Sequence, residues 1–200
     1  MNIQQISFDE IEILDAATLI CIANDRKFIN AIHVQCAIQI LYQFDKEILK
    51  KTIIDFITNY SNELMLNDEL SEINNDHKKY KNLVMFDKID ISISGTLYII
   101  GAKQYFQNKN CLINKKSNII ETILSSAYLI MKCCDRYTLL KNDIHIAILI
   151  IKPHIQTYIN LSTLTLENLY EFFKKSTHDC QIGIGVLTSI NNLIMRLKIV

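Results

Sequence analysis

Tryptophan is absent from this 200-residue chain, proline occurs once and glycine four times. So few turn formers exclude a sandwich or barrel, which needs a turn every few residues. Charge of one sign is also missing, since 21 Lys and Arg face 21 Asp and Glu. A protein whose main task is neutralising phosphates usually carries a clear basic excess. No apolar run approaches the roughly 18 residues that a membrane span needs, and no charged-then-apolar leader follows Met1. The cysteines, Cys21, Cys36, Cys111, Cys133, Cys134 and Cys180, form no CxxC pair and sit mostly in apolar runs. They read as reduced, buried thiols of an intracellular reducing compartment. What remains is a chain that is 50% apolar, enough for a sizeable core, and expected to be all-α. Its heavy use of Ile, Asn and Lys is what an AT-rich genome produces and carries no structural weight.

One segment occurs twice. Ile13 to Ile40 reads ILDAATLICIANDRKFINAIHVQCAIQI, and about 110 residues later Ile123 to Ile150 reads ILSSAYLIMKCCDRYTLLKNDIHIAILI. The two align without a gap. Ile13/Ile123, Leu14/Leu124, Ala17/Ala127, Leu19/Leu129, Ile20/Ile130, Asp25/Asp135, Arg26/Arg136, Ala37/Ala147, Ile38/Ile148 and Ile40/Ile150 are identical. A repeat of this length means two similar modules in one polypeptide, with an arginine at the same point of each loop.

Local signals divide the modules further. Ser7, with Glu10 three positions on, predicts a capping box and a helix ending near Asn24–Asp25. Arg26 to Ile29 is then a short extended loop. Asn30 caps a second helix, Ala31 to Tyr42, and Asp45 starts a third that runs to about Tyr60. The polar stretch Ser61 to Asn82 reads as a linker or a loosely held helix. DISIS alternates like a brief strand, and Gly95 to Phe106 is a short helix. Ser117 caps a long helix, Asn118 to Cys134. Asn142 or Asp143 opens the next, which stops before Pro153. Two helical segments follow, near 154–160 and 165–175. The tail carries Leu187, Ile190, Leu193, Ile194 and Leu197 at helical spacing.

Asn24 to Leu41 resembles the second loop and third helix of a histone fold. The matching pattern is N-x-R-x-x-I, four residues, an aliphatic residue, Q-x-A, a second aliphatic residue, and Leu three positions on. It is most similar to the histone of type 2B, whose further C-terminal helix would be Asp45 to Tyr60. The second copy would be the type 2A partner, with Gly95 to Phe106 as its first helix and Asn118 to Cys134 as its central one. Two such folds in one chain resemble the fused histone doublets of large DNA viruses that infect amoebae.

The resemblance implies two histone folds (helix–loop–long helix–loop–helix) clasped as an intramolecular handshake pair. Residues 1–62 would be the first fold without its first helix, 63–92 the linker, and 93–200 the second fold with a C-terminal extension. It further implies a structural protein, not an enzyme, in the virion, the host nucleus or a viral factory. Its partners would be duplex DNA and another histone or doublet, with no cofactor, metal, membrane or small-molecule substrate. In such a clasp the second loop of each fold lies beside the first loop of the other, and both face phosphates.

The expected phosphate contacts are Arg26, Lys27 and Arg136, with Lys115, Lys116 and Lys141 behind them. The bland alternative for each is a solvated cation near a helix end. Neutral charge argues against ordinary DNA wrapping, as does the single lysine of GTLYIIGAKQYF, where such a helix usually carries several arginines. A helical interaction module without DNA binding is therefore the competing expectation. Chemistry-bearing alternatives are thin. Gly183-Ile184-Gly185 is a bare GxG that reads as a turn. His178-Asp179-Cys180 lacks a second ligand pair. His33, His145 and His154 read as polar packing on helices, and Asp68, Glu69 and Glu72 as a solvated acidic cluster.

Overall fold

A computed structural model describes residues 8–42, 51, 54–55, 58, 70–84, 86–108, 119–151 and 180–198. It is mostly helical and divides into two compact units, Met1–Asn114 and Lys115–Val200. No described helix is long and apolar enough to cross a membrane.

The first unit opens with α1 (Glu10–Ala23). Its N-cap is Asp9 rather than the expected Ser7, which lies outside the described residues. The Asp9 carboxylate accepts the backbone N–H groups of Ile11 and Glu12 (2.9 and 3.1 Å). These would otherwise be orphan donors, and an anion there also suits the helix dipole. After α1 come β1 (Phe28–Ile29), α2 (Ala31–Tyr42), α3 (Leu70–Leu83), β2 (Asp90–Ile91) and α4 (Ile93–Asn108). The second helix has the bounds its sequence predicted. Of the expected helix 45–60, residues 51, 54, 55 and 58 are described, and they are helical.

α1 and α2 run antiparallel and bury Ile13, Ala17, Ile20, Val34, Ala37 and Ile38 completely. α4 packs on α2. Far from the loop, the three helices meet in an aromatic cluster: Phe106 lies 5.2 Å from Phe8 and 5.1 Å from Tyr42 between ring centroids. The Tyr42 hydroxyl accepts the Asp9 N–H (3.0 Å), so it is satisfied where it is buried. Glu10 binds α1 to its neighbours, pairing with Lys79 of α3 and Lys103 of α4, both at 2.8 Å. It also accepts the Tyr80 hydroxyl (3.0 Å). Burial raises the carboxyl's pKa, but these donors outweigh it and hold the group at about 2.

The stretch expected as a linker contains α3. Its sequence, LSEINNDHKKYKNL, is polar because only a narrow stripe is used. Ile73 and Tyr80 are buried, and His77 between them meets the Thr96 hydroxyl at 2.9 Å. These positions are i, i+4 and i+7, one face of a helix. α4, expected as the first helix of a separate fold beginning at 93, belongs instead to the first unit. The observed units part between Asn114 and Lys115, not at 92/93.

The second unit contains α5 (Ile119–Cys133), β3 (Thr138–Leu139), α6 (Lys141–Ile151), β4 (Gln181–Ile182) and α7 (Val186–Lys198). α5 packs on α6, and α6 on α7. Its core is Ile123, Leu124, Ala127, Ile130, Ile144, Ala147, Val186 and Ile190. The expected helices near 154–160 and 165–175 lie outside the described residues.

Among the described residues each unit holds one parallel pair of two-residue strands: β1 with β2, and β3 with β4. In each, the inner residue of the first strand (Ile29, Leu139) is fully buried. A glycine makes the approach possible. A Cβ on Gly95 would stand 2.5 Å from the Ile29 carbonyl oxygen, and one on Gly183 would stand 2.8 Å from that of Leu139. The Gly183 N–H donates to the same oxygen (2.8 Å). The GxG is therefore a backbone fitting at a strand end, with its turn at Ile184–Gly185.

Candidate functional site

The repeated loops have one backbone design. At the end of α1 the Arg26 N–H donates to the Cys21 carbonyl (3.1 Å) and the Asp25 N–H to that of Ile22 (3.0 Å). At the end of α5 the Arg136 N–H donates to Met131 (3.2 Å) and the Asp135 N–H to Lys132 (3.0 Å). Both are Schellman caps, which need a left-handed residue just past the helix. Asp25 and Asp135 both take φ 51° there, a conformation that aspartate tolerates better than most side chains. This accounts for the Asp-Arg pair in both copies: the aspartate turns the chain, and the arginine follows with its amide fixed.

The third residue of the next helix reaches back in both units. His33 Nδ1 accepts the Asn30 N–H (2.9 Å), and Asp143 Oδ2 accepts the Leu140 N–H (2.8 Å). Each closes the helix start as a capping-box acid would. α6 thus begins at Lys141, and Asp143 caps it from inside rather than opening it.

Here the copies part. Asp143 is fully buried, and both its oxygens meet Arg136, at 2.9 Å from Nη1 and 2.5 Å from Nη2. Nη1 also donates to the Thr138 carbonyl (3.2 Å). Asp143 and the Cys134 thiol raise the arginine's pKa against burial. Arg136, expected as a phosphate contact, therefore has its guanidinium fork occupied by its own chain.

In the first unit the partner position is His33. Burial and then the charge of Arg26 push its pKa down to about 4, so the ring is neutral at neutral pH. Its Nδ1 accepts the Asn30 N–H, and its Nε2 lies 3.2 Å from the Asn24 side-chain amide nitrogen. A neutral imidazole cannot hold a guanidinium as a carboxylate does. Arg26 is exposed with Lys27 beside it, and no carboxylate among the described residues pairs with it.

Lys141 is exposed on the first turn of α6. Lys115 and Lys116 lie outside the described residues, as do His154, His178, Asp179, Asp68 and Glu69. Glu72 lies in α3, and His145 is exposed on α6. Among the described residues no group of three His, Cys, Asp or Glu could hold a metal ion. Burial pushes the Cys134 thiol up despite Arg136, the reverse of an activated nucleophile.

The residues that sequence reasoning missed are His33 and Asp143. Their signal was available: each stands seven positions after its loop arginine, on the first turn of a helix. The strand ends also carry exposed apolar side chains, Phe28, Ile32, Phe86 and Ile93 in the first unit and Tyr137, Leu140, Ile182 and Ile184 in the second. Among the described residues the loops offer the exposed Arg26–Lys27 pair and exposed apolar side chains near each strand pair. No protein-family model matches the chain, nor does any curated protein or solved structure.

Proposed function

We propose that this chain is a non-enzymatic structural protein of histone-like build. It assembles with another helical chain and meets the phosphate backbone of duplex DNA through one loop, Arg26–Lys27, rather than two. The observation that carries this reading is the exposed Arg26–Lys27 pair on a backbone fixed by a Schellman cap, without a carboxylate partner among the described residues. Supporting it, each unit lays the loop after one helix beside the segment before another through a parallel strand pair. This is similar in form to the loop-to-loop contact that the histone resemblance implies, but both strand pairs lie within single units, where the resemblance implies contacts between the two folds.

Two cations set the scale. About two phosphate contacts give a slope of log K against log salt near −2, far below that of a wrapping protein. Such binding becomes useful only when assembly brings several copies to the same duplex. The zero net charge agrees with this scale. A titration of duplex DNA at stepped salt, comparing the intact protein with R26A/K27A, tests it. Binding at low salt that falls with this slope and disappears in the double variant is the expected result. Binding that is absent at low salt, or unchanged in the variant, removes DNA from the reading.

A second reading, an interaction module without DNA binding, is favoured by the apolar side chains around both strand pairs. Four exposed large apolar residues lie near each strand pair in the sequence, surface that suits a partner.

A further inference from the structure

We infer that the third residue of the helix after each loop decides which arginine can receive an external polyanion, so that Asp143 acts as a built-in anion silencing Arg136 while His33 leaves Arg26 free. The inference rests on the DNA reading above but concerns a different residue.

The two copies make the comparison internally controlled. Both arginines follow an aspartate at φ 51°, and both have their amide tied to the third-last helical residue. Both are followed by a strand whose inner residue is fully buried, and by a helix whose third side chain caps its start. Backbone placement is thus matched, and the side chains around the arginine differ at the capping residue and at the residue before the aspartate, Asn24 in one copy and Cys134 in the other. The Asp143 carboxylate fulfils two tasks at once, accepting the Leu140 N–H and the guanidinium fork of Arg136. His33 fulfils only the first, through a single ring nitrogen, and its other nitrogen faces Asn24.

Releasing Arg136 to a phosphate would leave a fully buried carboxylate without its counter-charge, a cost that no solvent-exposed phosphate contact returns. Arg26 has no such tether: its exposed charge stands near a neutral ring. Among the described residues, Lys132, over the Tyr137 ring, and Lys141, on the same turn as Asp143, are exposed cations near the second loop, each a single point charge rather than a fork.

The test exchanges the capping residue. Affinity for a 20-base-pair duplex is measured by fluorescence anisotropy at stepped salt for the full chain, H33D, H33E, D143N, R26A and R136A. Far-UV circular dichroism and thermal melting accompany each variant. H33D supplies the carboxylate that the second unit has, and H33E reaches further should the shorter acid not fit. The expected result is a fivefold or greater loss of affinity and a salt slope smaller by about one. R136A leaves the slope unchanged. D143N frees a guanidinium and raises the slope by about one.

A folded H33D or H33E that keeps the full slope, while R26A loses it, overturns the inference and leaves the DNA reading standing. An R26A protein that binds as the intact chain does overturns the DNA reading itself. If neither acidic variant folds, D143N decides: a folded D143N with an unchanged slope overturns the inference. Should D143N also unfold, the intact chain decides: protection of Arg136 from phenylglyoxal by the bound duplex overturns the inference, and modification of Arg26 alone being blocked supports it.

Discussion

Arg136 and Asp143 form a two-pronged ion pair across the loop that joins α5 to α6, and the carboxylate in it is completely buried. A pair of this kind is costly to break from one side, because the surviving partner keeps its desolvation penalty without its counter-charge.

R136A should therefore destabilise the second unit by about 3–5 kcal/mol. R136K should recover little, since an ammonium cannot span both oxygens. D143N should cost less than R136A, because the Arg136 side chain is 26% exposed and can reach water. Urea unfolding followed by circular dichroism orders the three, and an R136A protein as stable as the intact chain contradicts the structure.

The left-handed aspartates predict gains. D25G and D135G should each stabilise by up to about 1 kcal/mol, since glycine takes this φ without penalty. D25V and D135V should destabilise by at least as much, because a β-branched residue resists the conformation. Thermal melts of the four variants check the order.

Acid should act in two separate windows. The folded-state pKa of His33, about 4, lies below its ordinary 6.5. The fold holds the neutral ring, so its contribution is full above pH 6.5 and is lost as pH falls toward 4. The Glu10 carboxyl titrates at about 2 in place of 4.5, so the stability it confers is present above pH 4.5 and is lost as pH falls toward 2. H33Q should remove the upper loss and leave the lower one. Equilibrium unfolding from pH 7 to pH 2 separates them, and an H33Q profile identical to that of the intact chain refutes the assignment.

G95A and G183A should loosen the strand pair in their own unit, because the added Cβ would press on the Ile29 or Leu139 carbonyl. A cost of about 1–3 kcal/mol follows from forcing atoms into a closely packed site. Amide exchange should accelerate at Ser92 in the first variant and at position 183 in the second, the two amides that donate to those carbonyls. Exchange rates equal to those of the intact chain would deny the close approach.

Much of the local structure was legible in the sequence. The bounds of α2, the extended loop before it and the GxG turn follow from apolar spacing and turn chemistry, whereas of DISIS only Asp90–Ile91 is strand and Ile93 already begins α4. α3 was not legible as a packed helix, because among its described side chains Ile73 and Tyr80 are buried and most of the others are exposed. An average over such a segment sees only its polarity. The Asp9 cap was overlooked because Ser7 and Glu10 also fit the spacing of a capping box.

By itself, the sequence determined that the chain is built from helices, that one helix–loop–helix unit occurs twice, and that an Asp-Arg pair turns each loop. These are consequences of neighbours along the chain: helical spacing, a left-handed cap, a fixed amide. Only the tertiary structure decided what each arginine meets. Helix starts fold back over the loops and bring position 143 to Arg136 and position 33 to Arg26, where one carries a buried carboxylate and the other a neutral ring. Whether a charge is free or spent depends on groups brought together in space, and two loops that match in sequence differ in it.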